Sequence, residues 1–400
     1  MHFYDNDYQR NANISCIFDM IWRGCGSRID IARRLGLYRS TVSNIIGTLL
    51  ENGVLRESEY EEELTRSGRK PVSLSINPGF GCIVGIEYQV DHYAAVACTF
   101  SGDVFFSMHG ETPADPALAE KPEESFLFSL DSIMNRLVPE LEKLRCPPLG
   151  ICVGIPGIIN IDTGTVIKSY PFRLSGFDFG EKLKTRYGVP LIIENDAKCC
   201  AWLQCKKYRS EPVRDFITVF TRNYKDSIGV GLADAMGGRV LYGHNYAFGE
   251  FVSKSWRPGR KGQNGLPDAV MSTVQTNNDS YCDFIEDLFA TLATAVPMLA
   301  PNTVFLYGQP ESRHEVIRNV IKERVPQFTS VLEDSGATLT LLPAQEYELA
   351  EGAASMFLQQ LFSVTETGEK DSYSHITWDE IFRMKKESSE HCLIHAFGNQ

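Results

Sequence analysis

Over the first fifty residues apolar side chains recur every three to four positions, a spacing that predicts helices. Ile14, Ile17, Phe18 and Ile21 share one face of a helix over residues 13–22. Ile29, Ile31, Ala32 and Leu35 make a second stripe; Val42, Ile45, Ile46, Leu49 and Leu50 make a third. Leu35-Gly36-Leu37 is the turn between them, with Gly36 free to take positive φ. Ser40 is placed to cap the third helix. Then the pattern shortens. Gly53-Val54-Leu55-Arg56 and Val72-Ser73-Leu74-Ser75-Ile76 read as two strands of a hairpin. Three helices and a hairpin over residues 1–77 are the layout of a winged helix-turn-helix head. Arg39, Ser40, Thr41, Ser43 and Asn44 fall on the N-terminal end of the third helix, the end that such heads present to the major groove. Arg69 and Lys70, with Arg66, mark a basic wing tip suited to the DNA backbone. The acidic run Glu59, Glu61, Glu62 and Glu63 beside it would repel phosphate unless turned away.

From Asn77 onward the apolar runs are continuous. Cys82 to Glu87, Ala94 to Phe100 and Val104 to Phe106 predict a three-stranded meander. Leu149 to Ile155 and Pro190 to Glu194 are further strands, and residues 126–144 form an amphipathic helix. Phe216 to Phe220 and Ser227 to Leu232 begin a second set. Strands mixed with crossover helices predict an α/β fold. Two such sets predict two lobes with a ligand cleft between them.

Composition sharpens this. A chain of 400 residues is too long for one ordinary core. Its net charge of −12 excludes general nucleic-acid coating, so any DNA contact needs a local basic patch. Arg28, Arg33, Arg34 and Arg39 against Asp30 supply one. No apolar run is long enough to span a bilayer, and Met1 to Asp5 lack signal-peptide character, so a cytoplasmic protein without membrane contact is expected. The eleven cysteines include no C-x-x-C pair and read as reduced thiols.

Several short motifs then fall in a telling order. Gly68-Arg69-Lys70-Pro71 precedes the first long strand. Gly154-Ile155-Pro156-Gly157, Glu194-Asn195-Asp196-Ala197, Ala247-Phe248-Gly249-Glu250-Phe251 and Gly352-Ala353-Ala354 follow. In this order, from about Asn13 to about Leu358, the chain resembles the ROK family, which joins bacterial transcriptional repressors to sugar kinases on an actin/hexokinase-like fold. The resemblance implies a two-lobed body over residues 78–362 and leaves residues 363–400 as an extension. It implies a sugar site at Gly157, Asn195, Asp196 and Glu250, with Asp196 at the position of the kinase base. An amide and a carboxylate side by side can grip vicinal hydroxyls, although Asn and Asp also favour helix caps.

The chain departs from the kinase pattern wherever nucleotide is expected. The first phosphate motif, D-x-G-x-T in the kinases, is here Glu87-Tyr88-Gln89-Val90-Asp91. The second keeps only its later glycines, in Asp226 to Gly231. Val304 to Gln309, near the adenosine region, keeps one glycine. The family's zinc cluster is missing too: Ser253 stands where its histidine would, and no cysteine lies between Cys205 and Cys282. His244 reads as a surface or packing residue, and residues 257–278 read as a mobile loop. Neither cofactor nor metal is expected. The expectation is a DNA-binding regulator, a repressor, that dimerises on an operator and senses a sugar or sugar derivative without phosphorylating it. Two rivals stay open: a sugar kinase carrying a DNA-binding head, and a ligand-blind DNA-binding dimer. In the extension, Trp378, Ile381 and Phe382 sit at helical spacing. They could dock on the body, pack across a dimer or stay free.

Overall fold

The computed structural model describes residues 6–59, 72–144, 146–183, 186–209, 213–224, 227–260, 262–362 and 376–390. Three helices open the chain: α1 (Asn6–Trp22), α2 (Arg28–Leu35) and α3 (Arg39–Glu51). Their core is Ile14, Ile17, Phe18, Ile31, Val42, Ile46 and Leu49, all buried. Ser27 caps α2 by accepting from the Asp30 N–H, and Gly36 closes it in the left-handed region at φ 65°. Two sequence expectations need correction. Ser40 does not cap α3: the helix starts at Arg39, and Tyr38 holds the cap position without a side-chain bond. Ile29 does not face the core but is 59% exposed at the start of α2. A helix of only two turns can bury a narrow stripe, and Ile31 and Ala32 fill it. β1 (Leu55–Glu59) pairs antiparallel with β2 (Val72–Ile76), as the wing requires. Arg66, Arg69 and Lys70 lie outside the described residues.

The chain divides into two compact units, residues 1–194 with 353–400, and residues 195–352. In the first, β3 (Cys82–Tyr88), β4 (His92–Thr99) and β5 (Val104–Glu111) form the expected antiparallel meander. α4 (Pro122–Lys143) follows, and β6 (Pro148–Ile155) returns parallel to β3. β7 (Ile158–Asn160), β8 (Thr165–Ser169) and β9 (Leu174–Asp178) form a small separate sheet. A short α5 (Phe179–Leu183) leads to β10 (Leu191–Asn195), giving the order β10-β6-β3-β4-β5. Strands β3 and β6 are buried along their whole length, as strands covered on both faces must be.

The second unit begins with α6 (Asp196–Lys207). β11 (Phe216–Tyr224), β12 (Ser227–Met236) and β13 (Arg239–Val240) follow, then α7 (Asp268–Met271) and α8 (Asn278–Leu299). β14 (Thr303–Tyr307), α9 (His314–Arg324), α10 (Pro326–Ser335) and β15 (Thr338–Leu341) complete the sheet order β13-β12-β11-β14-β15. α8, α9 and α10 cover it with Phe284, Leu288, Leu292, Ile317 and Phe328. α11 (Glu348–Phe362) leads back to the first unit. There Phe357 lies where a Cβ on Gly150 would stand, so the bare glycine of β6 is what lets the helix reach the sheet. α12 (Trp378–Glu390) follows.

Residues 257–278 are not the loose loop that their Gly, Pro, Lys and Asn content suggests. They contain α7 and are tied inward. The Ser253 hydroxyl (2.6 Å) and the Gly265 N–H (3.0 Å) both donate to the buried Asp287 carboxylate of α8. The Asn264 amide donates to the Ile228 carbonyl, and the Gln263 amide to the carbonyls of Val230 and Phe251. Polar composition alone cannot separate a solvated loop from one whose polar groups find partners inside.

Candidate functional site

How α3 packs decides which of its residues face solvent. Val42, Ile45, Ile46 and Leu49 face inward, which turns Arg39, Ser40, Ser43 and Asn44 to solvent, with Thr41 half-buried. The basic patch is partly spent. Arg28 pairs with Glu57 at 2.5 Å and Arg33 with Asp30 at 2.6 Å. Arg34 and Arg39 remain exposed. Tyr38, 83% exposed at the start of α3, joins this surface; the helical period gave no reason to single it out.

The predicted sugar-site residues fall in both units: Gly157 in the first, Asn195, Asp196 and Glu250 in the second. Gly157, at φ 144°, would bring a Cβ within 2.5 Å of the Lys168 carbonyl oxygen. The close approach that requires glycine there is to the backbone of β8.

In the second unit β10 ends at Asn195, and Asn195 caps α6 by accepting from the Lys198 N–H at 3.0 Å. The cap reading therefore holds for Asn195. Asp196 is buried at 7% exposure and accepts from the Ala197 N–H at 2.9 Å. Its other oxygen lies 3.9 Å from the Arg222 guanidinium. Glu250 is brought to the same place by two glycines. Gly231 of β12 bridges to Glu250, and a Cβ there would press to 2.8 Å on Ala197. Gly249, at φ 91°, crosses β12 where a Cβ would strike the Leu232 carbonyl.

Three residues that the motifs did not flag complete this cluster. Lys198, 3% exposed, donates to the Phe248 carbonyl at 3.2 Å and lies 5.5 Å from the Tyr242 ring. Arg222 faces Asp196. Asp234 is 5% exposed, and its Oδ1 has no partner among the described residues. Burial pushes the Asp234 carboxyl up to about 7, against the pull of Lys198. Glu250 reaches solvent, yet the surrounding protein raises its carboxyl by desolvation; Lys198 opposes the shift and Asp196 adds to it. Lys198 directly follows the E-N-D-A motif, but only packing could show that its ammonium is buried.

At the positions that the resemblance assigns to nucleotide contacts, this chain packs its own side chains. β11 and β12 run as an unbroken ladder from Phe216 opposite Ala235 to Tyr224 opposite Ser227. The room left by Gly229 is taken by the Tyr224 ring. Gln309 donates to Thr221 at 2.8 Å and accepts from Tyr281 at 2.7 Å. In the first unit Tyr88 is buried against Phe126 and Phe172, its hydroxyl donating to the Phe126 carbonyl. Gln89 beside it is 3% exposed. At the lost zinc position, Ser253 bonds to Asp287 instead, and among the described residues no group of His, Cys, Asp and Glu is placed to hold a metal. The ten described cysteines are free thiols. Among the described residues no helix is long and apolar enough to cross a membrane.

Comparison with known proteins agrees with this architecture. Residues 104–251 match the model of the ROK family. A putative xylose repressor of Caldicellulosiruptor sp. (strain Rt8B.4) is 30% identical over 175 residues, 44% of this chain and 42% of that protein. The xylose repressor of Staphylococcus xylosus is 25% identical over 286 residues, 71% of this chain and 67% of that one. The chain thus spans less than half the length of the first of these relatives. Among solved structures, a ROK family transcriptional regulator, a homologue of the E. coli MLC protein, superposes with a TM-score of 0.69 at 15% identity. The match covers 94% of this chain and all of that one. A ROK family glucokinase from Streptomyces griseus, in complex with glucose and AMPPNP, superposes at 0.51 and 15% identity over 69% of this chain and 99% of its own. With the motif order and the two α/β units, these matches show that residues 104–251 are similar to the ROK family domain and that the chain has the fold of ROK regulators and sugar kinases.

Proposed function

We propose that this protein is a sequence-specific DNA-binding transcriptional repressor whose kinase-like body binds a sugar-type effector and transfers no phosphate. The observation that carries the DNA half is the α3 surface, where Arg39, Ser40, Ser43 and Asn44 are exposed on a head with its own buried core. Arg39 and Asn44 read base edges, Ser40, Thr41 and Ser43 support them, and Arg69 and Lys70 hold the backbone. A homodimer would place two such heads on a palindromic site in the cytoplasm. The names of the relatives, xylose repressor and N-acetylglucosamine repressor, support a sugar response and suggest the first ligands to try.

The absence of kinase activity is argued from Asp196. A base must offer its carboxylate to the attacking hydroxyl. Here one oxygen accepts from the Ala197 N–H and the other faces Arg222. The nucleotide loops are zipped or filled as well. The effector site in the second unit is built instead from Asn195, Asp196, Glu250 and Lys198, and Gly157 of the first unit is a separate candidate for ligand contact.

Operator selection from random DNA, followed by titration of Arg39→Ala and Asn44→Ala, tests the reading. Each lost base contact should weaken specific binding by about 1–3 kcal/mol, and Asp196→Ala should remove the sugar response while leaving unliganded DNA binding intact. An unchanged affinity in both head variants would reject the reading head. Sugar-dependent ATP turnover would favour the kinase rival, and a flat response to a broad sugar panel the ligand-blind dimer.

A further inference from the structure

Two cysteines meet where β3 and β6 begin, and the function argued so far does not use them. Cys82 opens β3 and is fully buried. Cys146 lies in the connection from α4 to β6 and is half-buried, so it keeps a path to solvent. Pro147 and Pro148 follow it. A residue before proline is held in extended backbone, which limits the directions that Cys146 can take. The ladder is irregular here. Cys82 stands opposite Pro148 and Ile83 opposite Gly150, so the pairing passes over Leu149. Beside this bulge the Cys82 N–H donates to the Pro147 carbonyl at 3.0 Å.

The bulge brings the two thiols together. The Cys82 S–H donates to the Cys146 carbonyl, with sulfur and oxygen 3.4 Å apart, and the two thiols also share a hydrogen bond. That bond draws the Cys146 thiol below its ordinary range; burial opposes the shift, and the Lys385 ammonium adds to it. The same bond, together with burial, holds the Cys82 thiol well above that range. One thiol of the pair thus ionises easily, and the other keeps its proton and donates it. Elsewhere burial pushes the thiols of Cys16, Cys152 and Cys205 up. A partly exposed thiolate is the reactive form of cysteine. A second thiol in contact with it halts oxidation at the disulfide, short of the higher acids.

We propose that Cys146 and Cys82 form a reversible oxidation site for hydroperoxides, with Cys146 as the attacking sulfur and Cys82 as the resolving one. The Cys146 thiolate attacks one peroxide oxygen. An S–O bond forms, the O–O bond breaks, and the departing oxygen takes up the proton that Cys146 released, leaving as water or an alcohol. Cys82 then attacks the Cys146 sulfenic acid. The S–S bond forms, the S–O bond breaks, and hydroxide leaves as water with the Cys82 proton. Two thiols and one hydroperoxide thus give one disulfide, one alcohol or water, and one further water; the peroxide gains the two electrons that the sulfurs lose. Cys98 is the poorer partner for Cys82. It pairs with Ile83 across β4 while Cys82 pairs with Thr99, and alternate residues of a strand face opposite sides of the sheet. Cys82 and Cys146 are 64 positions apart, so their disulfide closes a long loop through β4, β5 and α4 and stabilises the first sheet by restricting the unfolded chain.

The test uses the full chain, reduced and then freed of reductant. It is treated with a small excess of hydrogen peroxide, blocked with iodoacetamide and mapped by mass spectrometry of its unreduced peptides. The expected result is a linked Cys82–Cys146 peptide that forms before any other cysteine is oxidised and is lost on adding dithiothreitol. The oxidised chain should melt at a higher temperature than the reduced one. Cys82→Ser should stop at a sulfenic acid on Cys146, trapped by dimedone. Cys146→Ser should slow oxidation of Cys82 about tenfold or more. The proposal is overturned if Cys146 stays reduced while other cysteines react. It is equally overturned if Cys146 links to a different cysteine, or if it passes to the sulfinic acid with Cys82 present. The wild-type map decides these outcomes even where a variant fails to fold.

Discussion

Asp287 offers the sharpest test of how this chain holds its second unit together at the position where the family's kinases place zinc ligands. The carboxylate is 7% exposed and takes bonds from the Ser253 hydroxyl at 2.6 Å and the Gly265 N–H at 3.0 Å. Ser253 in turn accepts from the Ser255 N–H at 2.9 Å. One buried anion thus organises a loop that also bonds to β12 through Gln263 and Asn264. Hydrogen bonds to a charged acceptor contribute about 1.5–3 kcal/mol each. Asp287→Ala removes two and leaves both donors buried, while sparing the fold the cost of desolvating a carboxylate. The net loss should be about 3 kcal/mol. Asp287→Asn keeps one acceptor oxygen but turns an NH₂ toward a donor, so about half the loss should remain. Ser253→Ala alone should cost about 1–2 kcal/mol. In the double variant the two effects should fall short of additivity by about 1 kcal/mol or more, because they remove the same bond. Urea unfolding of the wild type and the four variants, followed by Trp256 fluorescence (its indole donates to Gly262 within this loop), measures these differences. EDTA should leave every curve in place. Asp287→Ala within about 0.5 kcal/mol of wild type, or a chelator-induced loss of stability, would refute the view that a hydrogen-bonded carboxylate anchors this loop without metal.

Two further predictions follow from single residues. The Asp234 carboxyl is raised to about 7 in the folded chain, so the folded state binds its proton more tightly than the unfolded state, and its stabilising contribution is lost as pH rises from about 4 through about 7. Asp234→Asn should match wild type near pH 4 and be more stable by up to about 4 kcal/mol at pH 8; a difference that does not change with pH would contradict the assignment. Gly308 holds φ 83° with the Thr221 carbonyl against its α-carbon, so Gly308→Ala should destabilise the second unit by about 2–3 kcal/mol, and a neutral result in urea titration would show that β11 and β14 can part there.

Much of the first unit was legible because its signals are local. Gly36 had to close α2, and the alternation in Val72 to Ile76 had to make a strand, whatever else the chain did. The failures have physical causes of equal clarity. Ser40 looked like a cap because capping residues are recognised by type, yet the helix began one residue earlier. Ile29 looked like core because periodicity cannot say how wide a stripe the neighbours will cover. Residues 257–278 looked loose because composition does not reveal that Asp287, Ile228 and Val230 supply their partners.

The same division holds at the candidate site. Motif order alone placed Asn195, Asp196 and Glu250 together, and the loss of the phosphate glycines was written in Tyr88, Gln89 and Ser227. Lys198, Arg222 and Asp234 became visible only when α6, β11 and β12 packed, because a buried charge is defined by what surrounds it, and those surroundings come from segments far apart in sequence. The docking of the tail was likewise undecided along the chain. The spacing of Trp378, Ile381 and Phe382 pointed to a helix there, and the structure shows Thr377 and Glu380 bonded to each other at its start. Only the tertiary structure could decide that the Trp378 indole meets Ser15, Phe18 and Phe100, since a helix carries its apolar face in its own sequence but finds the partner for that face in the rest of the fold.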